Sequence, residues 1–186
     1  CVILKSKCLE TVKKLIYASS GGACYGAPKK LPCDENTLIE PISHYGISKH
    51  TVEHYIYLYN FLYNLNYTIL RYSNVYGPRQ DPKGEAGVVA IFIKQLMNNE
   101  QPSIFGDGTK TRDYVYVKDV IEANLLTMKN NFNGMLNIGS GKEISDQKVF
   151  DTINKYINSN IKPKYTAFRK GEVGHICLDI NKAKEI

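Results

Sequence analysis

The chain has 186 residues, 43% of them hydrophobic, and carries a formal net charge of +6. This length and apolar content predict one packed domain, or two small lobes that share a core. The positive charge is spread along the chain without an arginine-rich tract, so a small anionic ligand is expected as partner rather than nucleic acid.

The cysteine content points to a reducing environment. The five cysteines are odd in number and lack CxxC spacing; they are Cys1, Cys8, Cys24, Cys33 and Cys177. Reduced thiols in a cytoplasm-like compartment fit this pattern. No signal peptide and no long apolar run is recognised, so a soluble cytoplasmic protein without membrane attachment is expected.

The first well-defined element is a short buried strand at Leu15–Ala18, preceded by a weak helical pattern at Leu9–Lys13. The strand opens into Ser19–Gly22, and ligands bind at such strand ends in open α/β sheets. Together with Gly26, these glycines let a backbone approach a ligand. They are not a dinucleotide fingerprint, because no helix is predicted to follow at once.

The longest helical stretch covers residues 45–64 and begins with Tyr45 and Lys49, which share one face at i and i+4. A free tyrosine titrates near pH 10, and a neighbouring ammonium moves that value toward neutral pH. Such a pair can take a proton from a sugar hydroxyl. By itself the pair more often means an ordinary surface helix.

The remaining elements alternate between strands and helices. Strands are predicted at Tyr67–Tyr72, Pro102–Phe105, Tyr114–Val117 and Met135–Ile138. Helices are predicted from about Gly87 to Asn98, over Asp119–Met128, from the N-cap Ser145 to Ile157, and from Asp179 onward. Residues 73–80 are predicted to leave the sheet as a loop. This order indicates a parallel sheet with right-handed crossovers.

Several segments, in one order and with one spacing, match a known family. They are Tyr17–Gly26, Tyr45–Lys49, Arg71–Gln80, Gly84–Gly87, Phe105–Gly108, Thr111–Tyr114, Asn137–Gly139 and Arg169–Glu172. Together they resemble the extended short-chain dehydrogenase/reductase superfamily. Within it, the chain is most similar to NAD-dependent nucleotide-sugar epimerases of the UDP-glucose 4-epimerase type.

The resemblance implies a catalytic and cofactor-binding set. Tyr45 is the acid/base, and Lys49 holds the nicotinamide ribose and acidifies Tyr45. Ser20 hydrogen-bonds the reacting sugar oxygen, with Ser19 as the competing choice and a cofactor contact. Tyr72 lines the nicotinamide pocket.

The resemblance also implies a UDP-sugar site and a mechanism. Its residues are Asn74, Arg112 and Arg169 on the diphosphate, Glu172 on the uridine ribose, and Phe105. Arginine suits a diphosphate because its planar fork matches phosphate oxygens. The implied reaction oxidises the sugar at C4 with NAD, lets the 4-keto sugar rotate and reduces its other face. No metal is implied, and a homodimer is expected.

The implied fold is α/β: the C-terminal part of a Rossmann-type parallel sheet with helices, plus a small α+β substrate lobe. Residues 1–76 and 109–138 belong to the cofactor-binding part, and residues 77–108 and 139–186 to the substrate lobe. The family's glycine-rich strand–turn–helix, which holds the cofactor pyrophosphate, has no counterpart here. The isolated chain is therefore expected to be inactive, and an N-terminal half is a possible partner.

Three alternatives remain open. A sugar-nucleotide dehydratase would need an acidic pair after Ser20, where Gly21 and Gly22 stand. A zinc hydrolase is suggested by the H-x-x-E-H pattern at residues 50–54, which is a weak signal alone. A sugar-nucleotide-binding remnant without turnover is the third.

Overall fold

The computed structural model describes residues 12–83, 87–169 and 171–186. The strands are β1 Leu15–Ser20, β2 Tyr67–Tyr72, β3 Asn74–Tyr76, β4 Ser103–Phe105, β5 Thr111–Tyr116, β6 Gly134–Ile138, β7 Glu143–Ser145 and β8 Lys164–Thr166. The helices are α1 Gly21–Cys24, α2 His44–Tyr63, α3 Val88–Met97, α4 Val117–Lys129, α5 Asp146–Ile157 and α6 Asn181–Glu185. The helical pattern at Leu9–Lys13 and the segment Gly84–Gly87 lie largely outside the described residues.

A parallel three-stranded sheet in the order β1-β2-β6 carries the site. β1 and β2 pair in register from Leu15 with Tyr67 to Ser20 with Tyr72, and α2 makes the connection between them. This confirms the predicted parallel sheet and its strand–helix–strand order. Because the strands are parallel and in register, their carboxyl ends lie at one edge.

Two smaller sheets extend from this one. β3 pairs with β5 in parallel and β5 with β7 in antiparallel fashion, while β4 pairs with β8 in parallel. The expected division into a cofactor part and a substrate lobe stays a prediction.

The sequence expectations were wrong at a few short elements. A one-turn helix, α1, follows β1 at once, and β3 lies inside the segment expected to be a loop. β7 and β8 were not predicted. Such three-residue strands have almost no local pattern, because their stability comes from a partner strand far along the chain.

Three buried clusters hold the elements together. One joins α3, α5 and β5 through Phe92, Leu96, Tyr114 and Phe150. The other two lie beneath the loop after α1 and between α2 and the main sheet. α2 is thereby packed against the main sheet, and α3 is packed against α5 and β5.

The start of α2 is fixed by a cap and by a close approach. Ser43 caps the helix by accepting a hydrogen bond from the amide of Gly46, 3.1 Å away. A Cβ on Gly46 would lie 2.5 Å from the carbonyl oxygen of Ala23 and 3.0 Å from Cβ of Pro41. Only glycine therefore lets the first turn of α2 lie this close to α1 and to Pro41.

We expect Gly46→Ala to destabilise the fold by about 1–3 kcal/mol, the usual cost of overpacking a tight contact. The melting temperature measured by circular dichroism should fall accordingly. Gly174→Ala is the matched control, since a Cβ there meets nothing within 4 Å. Equal melting temperatures for the two variants would contradict the close approach at Gly46.

Candidate active site

A cavity of about 540 Å³ lies at the carboxyl ends of β1 and β2. Ser19 and Ser20 line it from the end of β1, and Tyr72 lines it from the end of β2. α2 contributes Tyr45 from its first turn. We call this space the strand-end cavity; residues predicted from separate segments of the sequence meet in it.

The predicted Tyr45–Lys49 pair is formed on α2. Nζ of Lys49 lies 5.6 Å from the ring centroid of Tyr45 and donates a 2.9 Å hydrogen bond to the carbonyl of Ala18. The lysine is thus held between the helix and the end of β1. Its ammonium lies beside the Tyr45 ring.

Tyr17 is a second phenol near Lys49, with its ring centroid 5.4 Å from the ammonium. Burial and the carboxylate of Glu53 raise the pKa of Tyr17 to about 12. Tyr17 therefore stays protonated at neutral pH. Tyr45, which is 46% exposed and lines the cavity, is the phenol placed to meet a ligand.

The two candidate serines have different surroundings. Ser19 is buried, and its hydroxyl donates a 2.5 Å hydrogen bond to Oε1 of Glu53. Ser20 is half-buried at the last position of β1. The hydroxyl of Ser19 is engaged inside the protein, so the arrangement favours Ser20 as the group that meets a ligand.

Tyr72 is held by α4. Its hydroxyl accepts a 2.8 Å hydrogen bond from Nδ2 of Asn124, and burial raises its pKa. A protonated, anchored phenol is suited to lining a pocket rather than to exchanging protons.

A second cavity, of about 220 Å³, adjoins the first and gathers the predicted substrate residues. Both cavities are lined by Asn74, Gly87 and Arg112. The second is also lined by Phe105, Arg169 and Glu172. We call it the anion cavity, because it collects side chains that were predicted to hold a diphosphate.

The two arginines of the anion cavity are supported differently. Nη1 of Arg112 donates to the carbonyls of Thr111 at 2.7 Å and Gly174 at 3.1 Å, which fixes the guanidinium. Burial lowers the pKa of Arg112 from its ordinary value, but an arginine remains charged. The guanidinium of Arg169 stacks 3.6 Å from the ring centroid of Phe105. This stacking gives Phe105 a defined part in the site.

Lys110 and Asp146 also line the anion cavity, and the sequence reasoning missed both. Nζ of Lys110 lies 3.2 Å from Oδ2 of Asp146 and 2.8 Å from Oε2 of Glu172. Lys110 directly precedes the Thr111–Tyr114 motif, which was the available signal. With the two arginines, it makes three cations against two carboxylates, so the cavity favours an anion.

Ser73 and Gln80 were also missed as individual residues, although both lie within the Arg71–Gln80 segment. They line the strand-end cavity, and Nε2 of Gln80 donates to the carbonyl of Val75 at 3.1 Å. Among the described residues, Oγ of Ser73 and Oε1 of Gln80 are buried without a hydrogen-bond partner. Buried polar atoms of this kind are costly unless paired, which fits a polar ligand in this cavity.

Two further cavities lie elsewhere in the described structure, and one of them shares Gln80 with the strand-end cavity. One of about 450 Å³ lies under residues 28–40, and an apolar groove of about 700 Å³ runs between Tyr76–Pro82 and α3. Neither is lined by any of the predicted site residues. The strand-end and anion cavities are therefore better candidates for the active site than the larger groove, because only they are lined by the predicted site residues.

The carboxylate of the H-x-x-E-H pattern, which a zinc hydrolase would use, is engaged by an arginine. Glu53 is 4% exposed and forms a bidentate ion pair with Arg71, at 3.0 Å to Nε and 2.7 Å to Nη2. Nδ1 of His50 lies 3.1 Å from the same carboxylate, while Nε2 of His50 and Nε2 of His54 are 3.0 Å apart. Residues 12–83, 87–169 and 171–186 contain no cluster of three or more metal-binding side chains.

Glu53 should make the fold sensitive to acid. Burial by itself raises the pKa of Glu53, but the Arg71 guanidinium, with help from Ser19 and His50, holds it below its usual value. A carboxyl whose pKa is lowered in the folded state stabilises the protein fully above its unfolded pKa of about 4.3, and this stabilisation is lost as pH falls from there through the lower, folded pKa. The free energy of unfolding, measured in urea, should therefore decrease as the pH is lowered below about 4.3. In Glu53→Gln, the free energy of unfolding should decrease less per pH unit than in the parent. The same pH dependence in both proteins would exclude this role of Glu53.

The described part of the chain has no helix long and apolar enough to cross a membrane.

The three cysteines in the described part of the chain, Cys24, Cys33 and Cys177, are free and buried. Burial raises the pKa of each thiol, to about 11 for Cys33 and Cys177. They are inert packing groups under neutral conditions.

Taken together, these elements place a Tyr–Lys pair at the strand ends of a parallel α/β sheet, the edge at which ligands bind in such sheets, beside an arginine-lined anion cavity. Residues 2–139 match the NAD dependent epimerase/dehydratase family. The chain belongs to this family.

Relatives of known sequence carry epimerase names. The chain is 54% identical over 175 residues to a putative UDP-glucose 4-epimerase of Methanocaldococcus jannaschii. The match covers 94% of this chain and 57% of that protein. It is 38% identical to a UDP-glucose 4-epimerase of Mycolicibacterium smegmatis, covering 96% of this chain and 57% of that one.

Solved structures agree with the fold. A UDP-glucose 4-epimerase of Thermotoga maritima with UDP-glucose superposes with a TM-score of 0.95 at 47% identity, covering 99% of this chain and 60% of that one. A Thermus thermophilus UDP-glucose 4-epimerase in complex with NAD superposes with a TM-score of 0.89 at 36% identity. The match covers 96% of this chain and 59% of that one. The chain thus spans about three fifths of the length of these relatives, and its Rossmann-type α/β fold is that of the matching part.

Proposed function

We propose that this chain carries the catalytic and substrate-binding part of an NAD-dependent UDP-hexose 4-epimerase. The carrying observation is that Tyr45, Ser20 and Tyr72 line one cavity while Arg112 and Arg169 line the adjoining one. A UDP-sugar laid across both would have its sugar at the strand ends and its diphosphate at the arginines. Asn74 lines both cavities and is placed to contact the ligand between them.

Each residue has a defined task in this proposal. Tyr45 takes the proton from the C4 hydroxyl and later returns one, with Lys49 favouring its phenolate. Ser20 hydrogen-bonds the reacting oxygen. The arginines hold the diphosphate while the sugar turns over, so binding energy remote from C4 supports the chemistry. Glu172 accepts from the uridine ribose while Lys110 holds its other oxygen.

NAD, when bound, supplies the hydride acceptor and donor for the C4 carbon. Among the residues of this chain, Tyr45, Lys49 and Tyr72 are placed to hold its nicotinamide end, with Ser19 supporting the strand beneath. The cavity suits this, because it is lined by aromatic rings and polar groups and holds the two buried polar atoms of Ser73 and Gln80 that lack protein partners.

Epimerisation is favoured over dehydration by the residues after Ser20. A Cβ on Gly21 would lie 2.7 Å from a methyl carbon of Leu178, and one on Gly22 would lie 3.4 Å from Oδ1 of Asn74. A glycine cannot transfer a proton, and Gly21 has no room for a carboxylic side chain. The acidic pair that a dehydratase needs is therefore excluded at these positions.

The test is an assay of an extended enzyme, defined as this chain joined to the part of the Thermotoga maritima protein that it does not cover. We expect conversion of UDP-galactose to UDP-glucose, followed by proton NMR, with N-acetylated and glucuronic UDP-sugars as parallel substrates. The 186-residue chain alone is the control and should bind UDP without turnover. An extended enzyme that binds NAD and UDP but converts none of these sugars would contradict the proposal in favour of a binding remnant.

We further propose a cytoplasmic homodimer that associates through α2. Leu58, Phe61 and Leu62 share one face of this helix and are 43%, 73% and 53% exposed. Exposed apolar patches of this kind mark association surfaces. Light scattering of the extended enzyme should give twice the chain mass, and Phe61→Glu should give the monomer. A monomeric parent would refute this.

A further inference from the structure

The buried carboxylate of Glu53 connects α2 to the reacting edge of the sheet. Glu53 lies on the same helix as Tyr45. Its Oε1 accepts from Ser19 at 2.5 Å and from Nε of Arg71 at 3.0 Å, and its Oε2 accepts from Nη2 of Arg71 at 2.7 Å. One side chain therefore ties together the helix and the ends of two strands.

The residues held by Glu53 are the direct neighbours of the cavity residues. Ser19 pairs with Arg71 across the sheet, and the next pair in register is Ser20 with Tyr72. Fixing the first pair fixes the backbone from which the second projects. The positions of Ser20 and Tyr72 relative to Tyr45 are thus set through one buried carboxylate.

The network continues on the other side of Arg71. Nη1 of Arg71 donates to the hydroxyl of Tyr25 at 3.1 Å, and that hydroxyl donates to Oδ1 of Asn137 on β6 at 2.8 Å. The guanidinium lies 5.2 Å from the Tyr25 ring centroid. All three strands of the main sheet are therefore joined at this edge by side chains that are all buried: Ser19, Glu53, Arg71, Tyr25 and Asn137. His50, whose Nδ1 lies 3.1 Å from Oε2 of Glu53, is the partly exposed contact of this network.

A buried ion pair is weak as a source of stability, since apolar residues of similar volume often serve as well. What it supplies is directional, fully satisfied hydrogen bonding that fixes geometry. We propose that Glu53 is a positioning residue for the reaction proposed above, acting through Ser19 and Arg71 to set Ser20 and Tyr72 against Tyr45. This inference rests on the proposed function, because the reaction defines which geometry matters.

The decisive variant is Ser19→Ala in the extended enzyme, which removes one hydrogen bond to Glu53 and leaves the ion pair with Arg71 intact. Small displacements of reacting groups have large effects on rate. We expect kcat to fall by about tenfold while KM for the UDP-sugar stays within about twofold, because the arginines of the anion cavity are untouched. Ser19→Thr, which keeps the hydroxyl, should recover most of the rate.

The matched control is Ser140→Ala. It removes an equivalent hydrogen bond, from Oγ of Ser140 to the buried carboxylate of Asp113 at 2.8 Å, away from both cavities. Its kcat should equal that of the parent. A merely structural role for Ser19 would lower the melting temperature of both variants and leave kcat unchanged in both. Glu53→Gln should lower kcat further than Ser19→Ala where it folds.

Amide hydrogen exchange gives a reading that needs no turnover. In Ser19→Ala, exchange at residues 19–22 and 71–74 should accelerate relative to the parent, whereas Ser140→Ala should leave these amides unchanged. A parent without epimerase activity would refute the proposed function, and the exchange would still decide whether Glu53 fixes this edge. Unchanged exchange, or a Ser19→Ala kcat within twofold of an active parent, would overturn the inference.

Discussion

Replacing Tyr45 with phenylalanine in the extended enzyme should lower kcat by at least about a hundredfold, the usual contribution of a positioned acid/base. The ring and its contact with Lys49 remain, and only the hydroxyl that exchanges a proton with the sugar is lost. Affinity for the UDP-sugar should change little, because the anion cavity is unaltered. Steady-state kinetics and isothermal titration calorimetry measure the two quantities separately.

Tyr57→Phe is the control for this experiment. Tyr57 lies on the same helix but is 61% exposed and lines neither cavity. It should keep the parental rate. If Tyr45→Phe also turned over at near the parental rate, the acid/base would have to be another group, and the assignment of the strand-end cavity would be wrong.

Replacing either Arg112 or Arg169 with alanine should weaken UDP binding by about 2 kcal/mol or more, roughly 30-fold in Kd, as for charge-assisted hydrogen bonds. Arg112 should show at least as large an effect as Arg169. Its guanidinium is already fixed by two carbonyls and half-buried, whereas that of Arg169 is 60% exposed. A preorganised group loses less entropy when a ligand binds.

Titration with UDP measures this effect without any need for turnover. Arg112→Lys should recover only part of the affinity, because an ammonium cannot make the bidentate contact of a guanidinium. Arg79→Ala is the control; Arg79 lies at the apolar groove, outside the anion cavity. Unchanged UDP affinity in both Arg112→Ala and Arg169→Ala would place the diphosphate elsewhere.

The sequence by itself determined the long elements and the family. β1, β2, β6 and the helices α2 to α5 fall close to where the patterns predict them. Their signals are local: apolar residues recur with the period of a helix or strand, and Ser145 caps α5 by accepting from the amide of Lys148. The pairing of Tyr45 with Lys49 is local too, since both lie on one helical turn.

The partners of the polar side chains were decided only by the tertiary structure. Ser19 and Glu53 are 34 residues apart, and Arg71 and Glu53 are 18 apart, yet these contacts engage the carboxylate of the zinc pattern and give Ser19 different surroundings from Ser20. Lys110 meets Glu172 across 62 residues, and β4 meets β8 across a similar span. The physical reason is that a hydrogen bond or ion pair depends on which surfaces distant segments bring together, whereas local periodicity records only which face of an element is apolar.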